Sequence, residues 1–283
     1  MPTNPIESYH PALFAYAYNI LGSYEDAKDA VQDVTLNYLT TPRVNIANEK
    51  AYLIRSIINH SINMKKRYKR TSYPESWLPE PVETHGADHR MNSREILSYS
   101  LLVLLERLGP KERGVYILKH AFDYTHEEIA GTLELSVENS RKLLSRATRK
   151  LSGVRPQEQR SVLVNSDLLN NYIAIVRGGD IRALEKMLSD DIMAHADGGS
   201  KLSVVRELTA GPREVAHLMR HVFEKYQREF SIAYTFVNHQ PALLFFNKLE
   251  LVNCQIFEFD QDQKIKRIYS VVDPDKLKNL KLF

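Results

Sequence analysis

The chain has 283 residues, of which 43% are apolar and 26% charged, with a formal net charge of +3. That length suits two or three domains of ordinary soluble composition. No apolar run of about 18 residues is present to span a membrane, and so small a net charge does not by itself announce nucleic acid. The single cysteine, Cys254, excludes an internal disulfide and a cysteine-built zinc site. It fits a reducing cytoplasm, and the opening MPTNPIESYH lacks the basic and apolar parts of a secretory signal.

Residues 9–70 read as helices. Ala27, Val31, Val34 and Tyr38 form one apolar stripe over 23–39, and Ile54, Ile57, Ile58 and Ile62 another over 49–70. Asn48 is placed to cap the second. Opposite the first stripe, Asp26, Asp29 and Asp33 fall within about 60° of one another. Like charges so spaced repel, so the face suits a basic partner, although a solvated face has the same spacing. Opposite the isoleucines run Arg55, Asn59, Asn63, Lys66 and Arg70. The tail MKKRYKR sets Tyr68 among five cations, Arg67 included. Cations follow phosphates and an aromatic stacks on unpaired bases, so this stripe suits single-stranded nucleic acid; a solubilising tail is the alternative.

Residues 72–86, SYPESWLPEPVETHG, hold the only tryptophan, Trp77, between prolines. Proline fixes φ and extends its predecessor, so the segment is neither helix nor inner strand. A bulky aromatic in a spacer needs a surface to bury against.

Helical patterning returns over 93–108, stops at Gly109-Pro110, and continues from about 111 to 151. In THEEIAGTLELSVENSRKLLSRATRKL, Thr125 and Glu128 have capping-box spacing. Ile129, Ala130 and Leu133 supply an apolar face, and Glu134-Leu135 a short turn. Ser136 caps a second helix whose inward stripe is Val137, Ser140, Leu144, Ala147 and Leu151. Glu138, Arg141, Lys142, Ser145, Arg146 and Arg149 point outward. Two short helices so joined predict a helix-turn-helix, whose second helix offers forked donors to base edges and charge to phosphates. A plain solvated basic face is the alternative.

Beyond residue 165 come a helix, Gly178-Gly179-Asp180, and a further helix. After about 229 the pattern turns strand-like, with Phe230, Ile232, Tyr234 and Phe236 alternating. Helices first and strands later predict an α+β domain.

Three blocks in order resemble the extracytoplasmic-function sigma factors. GSYEDAKDAVQDVTLNYL is similar to their region 2.1–2.2 and AYLIRSIINHSINMKKRYKR to regions 2.3–2.4. LLERLGPKERGVYILKHAFDYTHEEIAGTLELS, with the helix after it, is similar to region 4. The resemblance implies that Asp26, Asp29, Gln32 and Asp33 meet the β′ clamp of core RNA polymerase, with the β subunit a further partner. It implies that Arg55, Asn59, Asn63, Lys66, Arg67 and Arg70 read the −10 element of promoter DNA, and that the outward face of the second helix reads the −35 element. Leu143 stands where the family commonly has arginine.

The rest resembles the SnoaL-like α+β cone that extends a subset of these factors, through LLNNYIAIVRGGDIRALEKMLSDDI, ADGGSK, VNHQPAL and DPDKL. That subset carries WLPEP in its linker, here Trp77, Leu78, Pro79, Glu80 and Pro81. Ser200 replaces a glycine and Asp273 an asparagine of its usual motifs. The resemblance implies that the tail regulates in cis through the linker, Asp197, Gly198, Gly199 and Lys201, and Asp273, Pro274, Asp275, Lys276 and Leu277. We expect Trp77 to be mostly buried against one of these tail segments.

The expected architecture is therefore multidomain: all-α region 2 over 1–70, a linker over 71–92, an all-α region 4 over 93–153, and an α+β cone over 160–283. The expected protein is a cytoplasmic sigma factor that binds core polymerase and promoter DNA, with no reaction, metal or cofactor of its own. Two alternatives stay open. One is a ligand-sensing helix-turn-helix regulator acting without polymerase. The other is a cyclase-like enzyme fused to a DNA-binding domain, for which His195, Asp197, His217, His221 and His239 are the candidate acids and bases. Their spacing defines no catalytic set. The cone has the fold for a small ligand that the sequence does not name.

Overall fold

The computed structural model describes residues 5–40, 46, 48–68, 77–84, 93–151, 166–199, 202 and 208–280. The chain forms two compact units, Met1–Tyr73 with Ala87–Gln157, and Pro74–Gly86 with Glu158–Phe283.

The first unit is helical. Helix α1 (His10–Leu21) is buried continuously from Leu13 to Leu21, so it is the central rod. It stops at Gly22, whose φ of 76° is a left-handed conformation open to glycine. Helix α2 (Tyr24–Thr40) starts where Ser23 Oγ accepts from the Asp26 amide at 3.2 Å. Its stripe of Ala27, Val31, Val34 and Tyr38 is buried as the spacing predicts. Helix α3 (Glu49–Tyr68) is capped by Asn48, whose Oδ1 accepts from the Ala51 amide at 3.0 Å. Ile57, Ile58 and Ile62 bury fully, with Leu53 beside them.

The helix expected over 93–108 is shorter. It runs only as α4 (Tyr99–Leu105), after a 3-10 turn at Ser93–Glu95. The buried carboxamide of Asn19 binds the Leu97 amide at 3.1 Å and the Glu95 carbonyl at 2.7 Å, drawing that backbone out of a helical ladder. Helix α5 (Pro110–His120) has proline in its first turn, where its missing N–H costs nothing. Helices α6 (His126–Leu133) and α7 (Val137–Leu151) are the helix-turn-helix. The capping box forms: Glu128 N donates to Thr125 Oγ1 at 3.1 Å and Thr125 N to Glu128 Oε2 at 2.7 Å. Ser136 Oγ accepts from the Asn139 amide at 3.1 Å, starting α7. Helices α1 and α3 pack on α5, and α3 also packs on α6, so segments distant in sequence share one core.

The second unit is a six-stranded mixed sheet under helices. Helices α8 (Ser166–Gly178) and α9 (Ile181–Met187) precede strand β1 (Leu188–Asp197). Short β2 (Thr209–Ala210) leads to α10 (Pro212–Val222), which continues as a π-helical turn over Phe223–Gln227. Strands β3 (Ser231–Val237), β4 (Gln240–Asn247), β5 (Glu250–Phe259) and β6 (Ile265–Val271) follow, then α11 (Pro274–Leu277). The order is β2-β1-β6-β5-β4-β3, antiparallel throughout except for β1 beside β6.

This corrects the expectation that strands begin after residue 229. SDDIMAHA has a single β-branched residue, Ile192, no Phe, Tyr or Trp, and two aspartates that strands disfavour, yet β1 lies inside the sheet because β6 and β2 pair with both its edges. The core joins Leu169, Tyr172 and Val176 of α8 to Val215 and Met219 of α10 and to Phe245, Phe257 and Ile268 of the sheet.

Candidate nucleic-acid interface and linker clamp

On α7 every residue expected to face DNA is exposed: Glu138, Arg141, Lys142, Ser145, Arg146 and Arg149. Lys142 pairs with Glu138 one turn back at 2.6 Å, and Arg141 approaches Glu127 of α6 at 3.8 Å. Exposed pairs of this kind are weak and exchange readily for phosphate. Ser140, Ala147 and Leu151 anchor the inner face, while Leu144 and Leu143 are half-buried. Leu143 thus packs at the flank of the helix, where an arginine would have reached outward.

On α2, Asp29, Gln32 and Asp33 are exposed, while Asp26, in the first turn, is half-buried. Asp33 lies 3.2 Å from His60 Nε2 of α3. Leu36 and Leu39 extend the same face and are exposed, adding apolar surface beside the carboxylates.

Along α3, Arg55, Asn63, Lys66 and Arg67 are exposed and Asn59 half-buried; Arg70 lies outside the described residues. Two of these donors are already engaged by α6 and the turn that follows it. Asn59 Nδ2 donates to the Thr132 carbonyl at 2.8 Å, and Arg55 Nη2 to Glu134 Oε1 at 2.5 Å.

Behind them is a buried charge cluster that sequence reasoning missed. Arg113 of α5 is fully buried; its Nε and Nη2 donate to the Asn19 carbonyl at 3.0 and 2.9 Å, and its Nη1 pairs with Glu106. Lys65 of α3 donates to the Leu21 carbonyl at 2.7 Å and to Glu106 at 2.9 Å. Burial pulls Lys65 down to about 8, with Arg113 adding to the fall and Glu106 opposing it. Burial pushes Glu106 up, but Arg113 and Lys65 reverse that and hold it below the usual carboxylate range. Tyr16 adds an aromatic contact, its ring stacked on Phe122 with centroids 3.8 Å apart. The only local hint of the cluster was Arg113 within the apolar run of α5.

In the second unit the linker is sewn to the tail at two places. At the first, Asp197, at the end of β1, collects donors: its Oδ1 accepts from the Gly199 amide at 2.8 Å, and its Oδ2 from the Leu78 amide at 2.7 Å and Lys276 Nζ at 2.6 Å. Lys276 Nζ also donates to the Leu78 carbonyl at 2.5 Å and lies 4.3 Å from the centre of the Trp77 ring. Burial lowers the Lys276 pKa, and Asp197, Asp273 and Glu80 partly restore it. Asp273 caps α11, accepting from the Asp275 amide at 3.0 Å, so aspartate performs the capping open to asparagine. Gly199 has φ of 61°, and a Cβ there would strike the Asp273 carboxylate.

The second place is the β3 edge. Glu83 bridges Val237; Thr84 N donates to the Phe236 carbonyl at 3.0 Å and Asn238 N to the Val82 carbonyl at 2.8 Å. The Glu83 carboxylate accepts from Thr235 Oγ1 at 2.8 Å. The linker thereby caps an otherwise open sheet edge. It also explains why Thr235 and Val237 are buried on β3 while the alternating aromatics are only half-buried.

Most of the described residues expected to be regulatory therefore converge, with one revision. Trp77 is only partly buried, under the Lys276 ammonium, and Leu78 is the fully buried anchor. A tryptophan held by a cation over its face keeps one edge in solvent. Pro79, Pro81, Gly198 and Leu277 are buried, Glu80 and Gly199 half-buried, and Pro274 and Asp275 exposed. Ser200 and Lys201 lie outside the described residues.

A cavity of about 10 Å³ lies between α8, α10 and the sheet, lined by Tyr172, Ile173, Val176, Met219, Phe223, Gln227, Ile232, Phe245 and Gln255. Its lining has no carboxylate or histidine. Among the described residues no group of histidines, cysteines or acids is arranged to hold a metal, and no helix is long and apolar enough to cross a membrane.

Comparison with known proteins agrees with this geometry. Residues 5–71 match the family model for sigma-70 region 2, and residues 98–151 that for sigma-70 region 4. The chain is an RNA polymerase sigma factor of the extracytoplasmic-function class, with a C-terminal mixed-sheet domain after regions 2 and 4. It is 24% identical over 311 aligned positions to the ECF RNA polymerase sigma factor SigJ of Mycobacterium tuberculosis, covering 98% of this chain and 93% of that protein. It is 26% identical over 288 positions to the probable ECF RNA polymerase sigma factor SigI of the same species, covering 98% and 97%. The crystal structure of M. tuberculosis SigJ shares the fold, with a TM-score of 0.75 at 21% identity over 96% of this chain and 97% of that one.

Proposed function

We propose that this sigma factor is regulated in cis by its tail, which holds the connection between the two promoter-reading regions. The observation that carries this reading is the clamp: Leu78, covalently between regions 2 and 4, gives both its amide and its carbonyl to the tail residues Asp197 and Lys276. A linker held at Leu78 and again at Val82–Thr84 has lost most of its freedom of reach.

Within this reading, α2 docks on the β′ clamp of core polymerase through Asp26, Asp29, Gln32 and Asp33, with Leu36 and Leu39 supplying apolar contact. The β subunit meets the remainder of the factor. The stripe from Arg55 to Arg70 takes the −10 strand, whose bases and phosphates need donors and cations. The outward face of α7 takes the −35 duplex through the major groove. The protein acts by binding, in the cytoplasm, and catalyses no reaction of its own. At about 10 Å³ the cavity has the volume of roughly one water site. A small ligand would therefore have to displace the side chains that close it.

The test is promoter-directed run-off transcription with core polymerase. Removing residues from Asp273 onward should raise transcription by freeing Leu78. Removing the whole tail should abolish it by exposing the apolar side of the linker. Equal transcription from the full chain and both truncations overturns cis regulation.

A further inference from the structure

Regions 2 and 4 share a packed interface in the first unit. A donor of the α3 stripe that is hydrogen-bonded across this interface is closed to a nucleic-acid strand, so the contact has to break before that part of the stripe is read. What occupies the −10 stripe before that break is visible in the structure.

Arg55 and Asn59 face the C-terminal end of α6. Asn59 donates to the Thr132 carbonyl at 2.8 Å, one of the carbonyls left open at a helix terminus. Arg55 pairs with the Glu134 carboxylate at 2.5 Å. A helix C-terminus carries partial negative charge, and the carboxylate adds a full one. Together they present an arginine and an amide donor with acceptors and charge of the kind that a nucleic-acid strand presents. Glu134 holds this position at a local cost, since its φ of 53° and ψ of 54° form the left-handed helix cap that glycine adopts freely and a glutamate does not. The pair is open to water, with 48% of the Arg55 side chain and 76% of the Glu134 side chain exposed, so it is exchangeable. Farther along the stripe, Asn63, Lys66 and Arg67 stay exposed.

We propose that Glu134 and the C-terminal end of α6 are an internal competitor for the −10 strand, occupying Arg55 and Asn59 until DNA displaces them from the exposed end of the stripe. The inference rests on the assignment of the α3 stripe to the −10 strand, and it adds a second restraint, inside the first unit and independent of the tail clamp. A strand that lands on Asn63, Lys66 and Arg67 extends toward Asn59 and Arg55, and each donor it gains is one that α6 loses.

The experiment compares the full-length protein with Glu134→Gln and Glu134→Gly. The first removes the charge and keeps the side-chain length; the second also relieves the left-handed backbone. Glu134 lies in the turn between α6 and α7, outside the DNA-facing rows of α3 and α7. The probes are a labelled A/T-rich 12-nucleotide single strand and a labelled mixed-sequence 20-base-pair duplex, followed by fluorescence anisotropy at low salt. Both variants should bind the single strand about two- to fivefold more tightly, the range that one exposed ion pair supplies, with duplex affinity unchanged. The duplex arm separates competition from the general effect of one lost negative charge, which would tighten both probes equally. Single-strand binding that is salt-dependent in the native protein and unaltered in both variants overturns the competitor while leaving the −10 assignment standing. Equal tightening of both probes also overturns it. Absence of single-strand binding in all three proteins removes the −10 assignment and the inference together.

Discussion

Lys276 donates to Asp197 at 2.6 Å with both side chains buried, and between them they hold the amide and the carbonyl of Leu78. An acid at the end of β1 and a base in the last helix thus close a ring around a linker residue more than a hundred positions away from either. A buried pair of this kind fixes position more than it adds stability, because desolvation consumes much of the attraction. Breaking it by removing one partner is a different matter, since the other charge is left buried alone.

Lys276→Met should therefore cost ~3–5 kcal/mol of tail stability and release the linker. Trp77 is the chain's only tryptophan, so its emission reports the clamp directly. The variant should unfold at lower temperature and show emission shifted to the red at temperatures where it is still folded. Emission identical to that of the native protein in a folded Lys276→Met variant would mean that the ring is held by something other than this clamp.

The buried cluster of the first unit predicts a pH dependence. Glu106 is held below the usual carboxylate range, so its contribution is present above the unfolded value near 4.5 and is lost as pH falls through the lower folded value. Lys65 moves the other way. Its folded value near 8 lies below the ordinary 10.5, so between these the unfolded chain retains a proton that the folded one has released. Over that alkaline window its contribution to stability rises with pH. Urea midpoints from pH 3 to 10 check both: an acid loss that Glu106→Gln removes, and an alkaline gain that Lys65→Met removes. Glu106→Gln should also cost ~3–5 kcal/mol near neutrality, because Arg113 and Lys65 are left without their anion.

Asp29 and Asp33 are exposed on one face of α2 beside Leu36 and Leu39. Reversing both acids to lysine should weaken association with core polymerase in a pull-down at moderate salt. The circular dichroism and melting temperature of the isolated protein should stay close to native, since exposed charges contribute little to folding. Unchanged capture of polymerase would remove the acidic face from the interface.

On α7, Arg141→Ala and Arg146→Ala separate two kinds of DNA contact. Loss of a bidentate contact to a base should cost about 1–3 kcal/mol and relax preference at one position. Loss of a phosphate contact should lower affinity for every sequence alike and flatten the salt slope by about one ion. Promoter footprints unaltered by both substitutions would place the recognition face elsewhere.

Much of this protein was legible before its structure. The stripe of Ala27, Val31, Val34 and Tyr38, the capping box of Thr125 and Glu128, and the outward row from Glu138 to Arg149 are relations between residues three to seven positions apart. Helical geometry alone converts such spacings into faces. Strand β1 was not legible, because SDDIMAHA has no strand-like composition and pairs only through β6 and β2, which arrive later in the chain. Trp77 looked like the anchor of its motif, and Leu78 took that role once Lys276 settled over the indole face.

By itself the sequence determined the helices, their caps, the helix-turn-helix and the acidic and basic faces, all of them consequences of local periodicity and side-chain chemistry. Only the tertiary structure decided which faces are occupied. Asn19 meets Arg113 across 94 positions, Asn59 meets Thr132 across 73, and Leu78 meets Lys276 across 198. None of these partners carries a local signature, because a buried amide, carbonyl or ammonium is satisfied by whichever group the fold delivers. The choice is made by the cost of leaving a buried polar group unpaired.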